Sequence, residues 1–288
     1  MDFALRDGII WMDGEFMDWK DVKIHVLSHG LHYASSVFEG ERVYDGQLFK
    51  GQEHHERLIK SAAILGFELP YIAEEITDIV NEVVRRNGLE NAYVRPVAWR
   101  GSSDLKVGVS DNKDIHFAIA AWEWPNYFNA EKQEKGIKLQ LADWRRPDPK
   151  TAPTEAKTAA LYAVATLAKN KSVAAGFDDA LMLDWRGYVA EATAANFFMV
   201  KDDVLITPTA ESILNGITRQ TVMAMAKDMG YKVEERHITL EEVWQADEIF
   251  VTGTAAEVTL VGQIAEHTFA IGLVGKRMKE AYTKLVHK

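Results

Sequence analysis

The chain has 288 residues, 47% of them hydrophobic and 26% charged, with a net charge of −10 and no cysteine. That balance fits one large globular domain or two smaller ones, and it excludes a disulfide framework, a thiolate metal site and a cysteine nucleophile. An acidic chain also lacks the basic face that a nucleic-acid phosphate backbone demands. The first residues, Met1 to Asp7, carry acidic charge and no apolar core, unlike a signal peptide. The longest apolar run, Ala160 to Ala168, is well short of the roughly 18 residues of a membrane span. A cytoplasmic enzyme without membrane contact is the expectation.

In chain order, the first forty-nine residues read as strands and tight turns. Asp13-Gly14 lies between Ile9–Met12 and Glu15–Met17, and Asp45-Gly46 between Arg42–Tyr44 and Gln47–Phe49. Asp-Gly between β-formers is a preferred two-residue hairpin turn, because both positions take φ > 0. A helix is expected from about Glu53 to Leu65, stopping at Gly66. A second carries Ile76, Ile79, Val80 and Val83 as one stripe and stops near Gly88. Strands follow at Ala92–Trp99 and Ile115–Trp122.

The segment Glu123–Gly136 holds Pro125, Asn126, Asn129 and a charged run, and reads as an interdomain connection. The expected domains are thus 1–122, a smaller N-terminal α/β domain, and 137–288, a larger C-terminal one, with 123–136 between them. The larger domain opens with a strand at Ile137–Leu141 and a loop with Pro147, Pro149 and Pro153. A long helix from about Lys157 to Ala175 follows, and strands then alternate with helices at Thr218–Met229 and Lys276–Val286. The fold class is mixed α/β, with no regular repeat. No nucleotide-binding glycine loop and no Gly-x-Ser-x-Gly elbow is present.

Four fragments of this half could carry chemistry. Lys157 stands among the small residues Ala156, Thr158, Ala159 and Ala160, at the start of an apolar helix rather than on a charged face. Glu191 ends the strand Tyr188–Ala190 and precedes four small residues. Gly216-Ile217-Thr218 opens a helix, where free amides and a hydroxyl suit a phosphate. Thr218 as a plain N-cap is the alternative. Gly253-Thr254-Ala255-Ala256 follows a strand and leaves its amides open to a second anion, unless it is a simple turn. A reactive amine, an acid and two amide-rich turns are what pyridoxal phosphate asks of a protein. In the first half, Tyr93 and Arg95 are two apart on one strand and share a face that could hold a carboxylate, or form a surface pair on an edge strand. Arg57 reads as a phosphate ligand or a solvated helix arginine. His29 and His32 have no convincing third ligand, so no metal is expected.

These residues resemble a family. The chain is similar over nearly its whole length to the fold-type IV pyridoxal phosphate enzymes, and within them to branched-chain amino acid aminotransferases. The class signature is met by Glu191, Asn196, Phe197-Phe198, Leu205-Ile206-Thr207 and Leu214-x-Gly216-Ile217-Thr218-Arg219. Ser28-His29-x-Leu31-His32-Tyr33, Val37-Phe38-Glu39-Gly40-x-Arg42, Ala92-Tyr93-Val94-Arg95-Pro96 and Gly253-Thr254-Ala255-Ala256-Glu257 match the branched-chain subgroup.

The resemblance implies a two-domain architecture with the linker over the active site. It makes Lys157 the Schiff-base lysine and catalytic base, sets Glu191 against the pyridine nitrogen, and gives the ring hydroxyl oxygen to Tyr162. Arg57, Ile217, Thr218 and Thr254 would hold the phosphate. Tyr93, with the backbone at Thr254-Ala255, would take the substrate α-carboxylate; Tyr33 and Arg95 would take the distal carboxylate of glutamate. Phe38, Gly40, Trp124, Tyr127 and Tyr162 would line the apolar pocket. A partner-subunit loop near Val107 and Val109 would close it, in a homodimer or larger homo-oligomer. The implied reaction is ping-pong transamination between leucine, isoleucine or valine and 2-oxoglutarate. D-amino acid or (R)-amine aminotransferases and aminodeoxychorismate lyases share the fold and are the alternatives. The chain departs from the family at Glu41, usually apolar, at Ala192, usually glycine, and at Asn215 and Leu260, usually proline.

Overall fold

The computed structural model describes residues 3–109, 114–124 and 130–287. The chain divides into two compact units, one of residues 1–125 with 156–160 and one of 126–155 with 161–288.

The first unit begins with the hairpin β1 (Ile9–Met12) and β2 (Glu15–Asp18). Met12 pairs with Glu15, so Asp13 and Gly14 alone make the turn, at φ 51° and 99°. A short helix α1 (His29–Tyr33) precedes β3 (Ser36–Phe38), β4 (Glu41–Tyr44) and β5 (Gln47–Leu48). Asp45 and Gly46 repeat the turn at φ 48° and 79°. Helices α2 (Gly51–Ile64) and α3 (Ala73–Arg86) follow, then β6 (Ala92–Arg100) and β7 (Ile115–Glu123). The helix α1 and two 3₁₀ turns, Phe3–Leu5 and Trp19–Asp21, correct the reading of the first forty-nine residues as strands and turns. Each is too short to display an apolar period.

The sheet runs β2-β1-β7-β6-β4-β5, with β3 also paired to β6. β6 is therefore interior, which rules out an edge-strand pair for Tyr93 and Arg95. Val94 and Ala98 join Leu58, Ile76, Val80, Val83, Phe117 and Ile119 in the core. Alternation along the strand turns Tyr93 and Arg95 to the other face.

The second unit contains α4 (Ala130–Lys135), β8 (Ile137–Arg146) and most of α5 (Ala159–Ala174), then β9 (Asp179–Asp184), β10 (Val189–Ala192), β11 (Asn196–Lys201) and β12 (Val204–Thr207). It continues through α6 (Ile217–Asp228), β13 (Lys232–Glu235), α7 (Leu240–Val243), β14 (Glu248–Gly253), β15 (Glu257–Ile264), β16 (His267–Thr268) and α8 (Leu273–Val286). The strand path β10-β9-β8-β15-β14-β11 returns on itself, because β10 also pairs with β11. Six strands thus form a closed ring, which removes its free edges. β12 and β13 extend outward from β11, and β16 pairs with β15. Alternate residues of these strands, among them Leu139, Leu181, Phe197, Met199, Val251 and Val261, make one buried core. The mixed α/β class read from the sequence is the class observed. Among the described residues, no helix is long and apolar enough to cross a membrane.

Glu248 joins β14 to α8. Its buried carboxylate accepts from the amides of Val274 at 3.1 Å and Gly275 at 2.7 Å, in the first turn of α8. Those amides have no carbonyl partner within their own helix. Glu248→Ala should lower stability by about 1–3 kcal/mol by stranding them, read as a lower urea midpoint. An unchanged midpoint would mean that the cap contributes nothing.

Candidate active site

In the first unit, the backbone of Lys157 is held on both sides. Its N–H donates to Ser61 Oγ at 3.0 Å, and its carbonyl accepts from Phe38 N at 3.1 Å. Thr158, fully buried, donates its hydroxyl to Ser36 O at 3.0 Å. These bonds set the lysine ahead of α5, with Nζ 5.1 Å from the centre of the Phe38 ring. The Arg95 guanidinium carbon is 4.6 Å from the same ring, and Arg95 Nη2 donates to Tyr93 Oη at 3.1 Å. Arg95 Nε is buried and has no hydrogen-bond partner. Trp124 packs on Tyr93, with ring centres 4.7 Å apart. Gly40 lies so close to Tyr93 that a Cβ on it would come within 1.9 Å of the hydroxyl. The structure thus brings Lys157, Phe38, Gly40, Tyr93, Arg95 and Trp124 together on the sheet face opposite the helices. Tyr127 lies outside the described residues.

Arg57 forks onto Glu39, with Nε 2.6 Å from Oε1 and Nη2 2.8 Å from Oε2. His54 Nδ1 donates to Oε2 at 2.7 Å, and the Gly40 amide at 3.2 Å. Complete burial would raise the Glu39 pKa, but the charges and hydrogen bonds of Arg57 and His54 more than reverse this. The carboxyl is held well below its usual range. Arg57 is therefore an aimed side chain rather than a solvated one.

Tyr33 is exposed on α1 and donates to Leu105 O at 3.1 Å. It adjoins the 101–109 loop that carries the exposed Val107 and half-buried Val109. His29 uses both ring nitrogens, on Ser35 Oγ and Lys106 O, and His32 bonds Val26 O.

In the second unit, Glu191 is buried within β10 rather than just past its end. Arg146 Nε is 3.1 Å from Oε1, and Asn196 Nδ2 donates to Oε2 at 3.1 Å. Asn196 Nδ2 also donates to Leu214 O at 2.8 Å, tying Glu191 to the turn before α6. That turn needs glycine: a Cβ on Gly216 would come within 2.1 Å of Asn196 Oδ1. Gly216, not Thr218, is the N-cap of α6, so Ile217 and Thr218 occupy its first turn, both buried. Arg219, fully buried, donates to Asn215 Oδ1, Pro208 O and Glu235, which anchors the turn from behind. Thr254 and Ala255 are half-buried on the turn after β14, and Tyr162 is half-buried on α5.

Sequence reasoning gave no role to Arg146, Ser61 or Glu39. Glu39 left a faint signal, an acid inside an otherwise apolar and tight phrase. Arg146 left none, because its contact depends on strand registers across β8, β9 and β10.

The family model for class IV amino-transferases matches residues 36–264. The branched-chain-amino-acid aminotransferase of Pseudomonas aeruginosa is 41% identical, over 99% of this chain and 95% of its own. The T.th. branched-chain amino acid aminotransferase, solved with pyridoxamine 5'-phosphate, superposes with a TM-score of 0.94 at 41% identity, over 98% of this chain and 95% of that one. Its complex with N-(5'-phosphopyridoxyl)-L-glutamate gives 0.93 at 40%, with the same coverage. The chain belongs to the branched-chain amino acid aminotransferases of class IV.

In this aminotransferase, the Glu39 pair should show in acid. A carboxyl whose pKa folding depresses stabilises above its ordinary value of 4.5, and that stability is lost as pH falls below it. Glu39→Gln should cost about 3 kcal/mol at neutral pH by removing the buried charge that Arg57 and His54 face. The gap to wild type should narrow steadily below about pH 4.5. Urea midpoints across pH would show this, and a gap constant with pH would refute it.

Proposed function

We propose that the enzyme transfers an amino group reversibly between leucine, isoleucine or valine and 2-oxoglutarate, with pyridoxal 5'-phosphate as cofactor. The observation that carries this reading is the grouping of Arg95, Tyr93 and Lys157 around the apolar ring of Phe38. One wall then offers an aliphatic side chain a hydrocarbon surface and offers a carboxylate a cation. The partnerless Nε of Arg95 is a donor in want of such an anion. The glutamate adduct in the T.th. enzyme's complex supports glutamate as the second amino acid.

The residues fit the cofactor. When bound, it supplies an aldehyde that takes up the amino group and a ring that stores electrons from the substrate's α-carbon. Lys157 Nζ would hold it, then act as the base that moves a proton from the substrate's Cα to C4′. Glu191, fixed by Arg146 and Asn196, keeps the ring nitrogen protonated by its negative charge. Tyr162 bonds the ring hydroxyl oxygen. Arg57, the first turn of α6 at Ile217 and Thr218, and Thr254 hold the phosphate. Tyr93 and the Ala255 backbone hold the α-carboxylate. Tyr33 and Arg95 take the distal carboxylate of glutamate.

The enzyme works as a homodimer or larger homo-oligomer, with the partner's Val107 loop closing the pocket. In support, Val26, Leu31, Tyr33 and Val107 form an exposed apolar strip, from 46% to 79% accessible, on α1 and its neighbouring loops. Its place of work is the cytoplasm.

Lys157→Ala should abolish transamination while leaving weak cofactor binding through the phosphate; normal turnover would end the assignment. Arg95→Ala should separate the two substrates. A charge-assisted pair is worth roughly 1.5–3 kcal/mol, tenfold or more in specificity. kcat/KM for glutamate and 2-oxoglutarate should fall by that factor, and for the leucine half-reaction much less. Equal losses would make Arg95 structural or a ligand of the α-carboxylate.

A further inference from the structure

Two carboxylates from one short stretch of chain, Glu39 and Glu41, reach α2. Glu39 takes Arg57 and His54. Glu41 takes His55, one residue further along the helix, and neither has a part in the chemistry described above. Both side chains are fully buried. His55 Nε2 is 3.2 Å from Glu41 Oε2, and His55 Nδ1 is 2.8 Å from Thr77 Oγ1 on α3. Thr77 gives its own hydroxyl proton to Ala73 O at 2.9 Å. It can therefore only accept from His55, so Nδ1 carries a hydrogen. A proton must also lie between Nε2 and Oε2, because two bare lone pairs would repel at that distance in a core. The pair then carries no net charge, whichever atom the proton sits on. Glu41 Oε1 has no partner, which agrees with a carboxyl that is not a lone buried anion.

We propose that Glu41, His55 and Thr77 form an uncharged latch around one shared proton, which fixes α2 against β4 and so positions Arg57. Glu41 and His55 are positioning residues; this rests on the reading of Arg57 as a phosphate ligand. The geometry supports it. Residues 39 and 41 are tied to adjacent helix residues, so a slide or rotation of α2 breaks both ties together. Apolar contact tolerates small shifts of register, whereas a directed pair does not.

The test compares apo-protein affinities for pyridoxal 5'-phosphate and for pyridoxal, which lacks the phosphate. Their ratio isolates the phosphate grip from the rest of the site. Glu41→Leu and His55→Leu should each lose about tenfold in that ratio, a shift of 1.4 kcal/mol. Glu41→Leu/His55→Leu, which removes the latch without stranding either member, should lose about the same tenfold as each single variant rather than about a hundredfold, because the two residues act as one unit. Glu41→Gln keeps a donor for His55 Nε2 and should stay within about threefold of wild type, which covers a Leu variant that fails to fold. Arg57→Ala tells the two readings apart. If it leaves the ratio intact, Arg57 does not hold the phosphate and the latch has nothing to position. If it lowers the ratio while Glu41→Leu does not, the latch alone is wrong. A double variant that recovers to wild type, or a Glu41→Gln as poor as Glu41→Leu, also overturns the proposal.

Discussion

Glu191 and Asn196 face each other where β10 meets β11, and much of the second unit depends on that pairing. It closes the ring of strands, which otherwise would end in an open edge at β10. The same two residues join side chains, so the seam of the ring is also the support of the acid. A side-chain amide has two hydrogens to give, and Asn196 spends its second on Leu214 O. The turn before α6 is thereby set at a fixed height relative to Glu191. Gly216 completes the arrangement by leaving room for the Asn196 oxygen. The acid proposed for the ring nitrogen and the helix start proposed for the phosphate thus share one hydrogen-bonding centre.

Buried carboxylates recur wherever the chain has to aim something. Glu39 aims Arg57, Glu191 is aimed by Arg146, and Glu41 meets His55. Burying a carboxylate costs more than most single contacts return, unless a partner sits in good geometry. None of these pairs is a sound reason for the fold to be stable. Each is a sound reason for one side chain to have one position, because the hydrogen bond that joins the pair is directional. Arg219 shows the same economy with neutral acceptors, using Thr207, Pro208 and Asn215 as well as Glu235.

What could be read in the sequence was local. Both Asp-Gly turns fall where the sequence puts them, because two φ > 0 positions between β-formers leave few alternatives. The stripe Ile76, Ile79, Val80, Val83 is the core face of α3. Tyr93 and Arg95 share a face because two residues are the period of a strand. Glu191, Gly216 and Thr254 were legible as motif residues. What supports them was not. Glu39 meets His54 and Arg57 from 15 and 18 residues away, and Asn196 meets Leu214 from 18. Arg146 meets Glu191 only because two strand registers align. Ring closure depends on β10 having partners on both sides, and a four-residue strand carries no sign of that. A single sequence displays the residue that acts and hides the one that holds it.

The wall around Phe38 has a physical reason to use arginine, rather than lysine, if it is the proposed pocket for two unlike side chains. A guanidinium is weakly hydrated and planar, so it can lie over an aromatic face at small desolvation cost. Arg95 does so 4.6 Å from Phe38 and 5.4 Å from Tyr93. Stacked this way, it adds little polarity to the hydrocarbon surface an aliphatic side chain meets, yet its N–H edge remains directional toward a carboxylate. Tyr93 is constrained from both sides. Arg95 holds its hydroxyl, and Gly40 alone leaves room for it. A methyl group on Gly40 would displace the hydroxyl and, through it, the guanidinium. The absence of a side chain at one position is therefore part of how charge is arranged at another, and the Phe38-Glu39-Gly40 phrase joins the apolar surface, the arginine aimed by Glu39 and the space for Tyr93 within three residues.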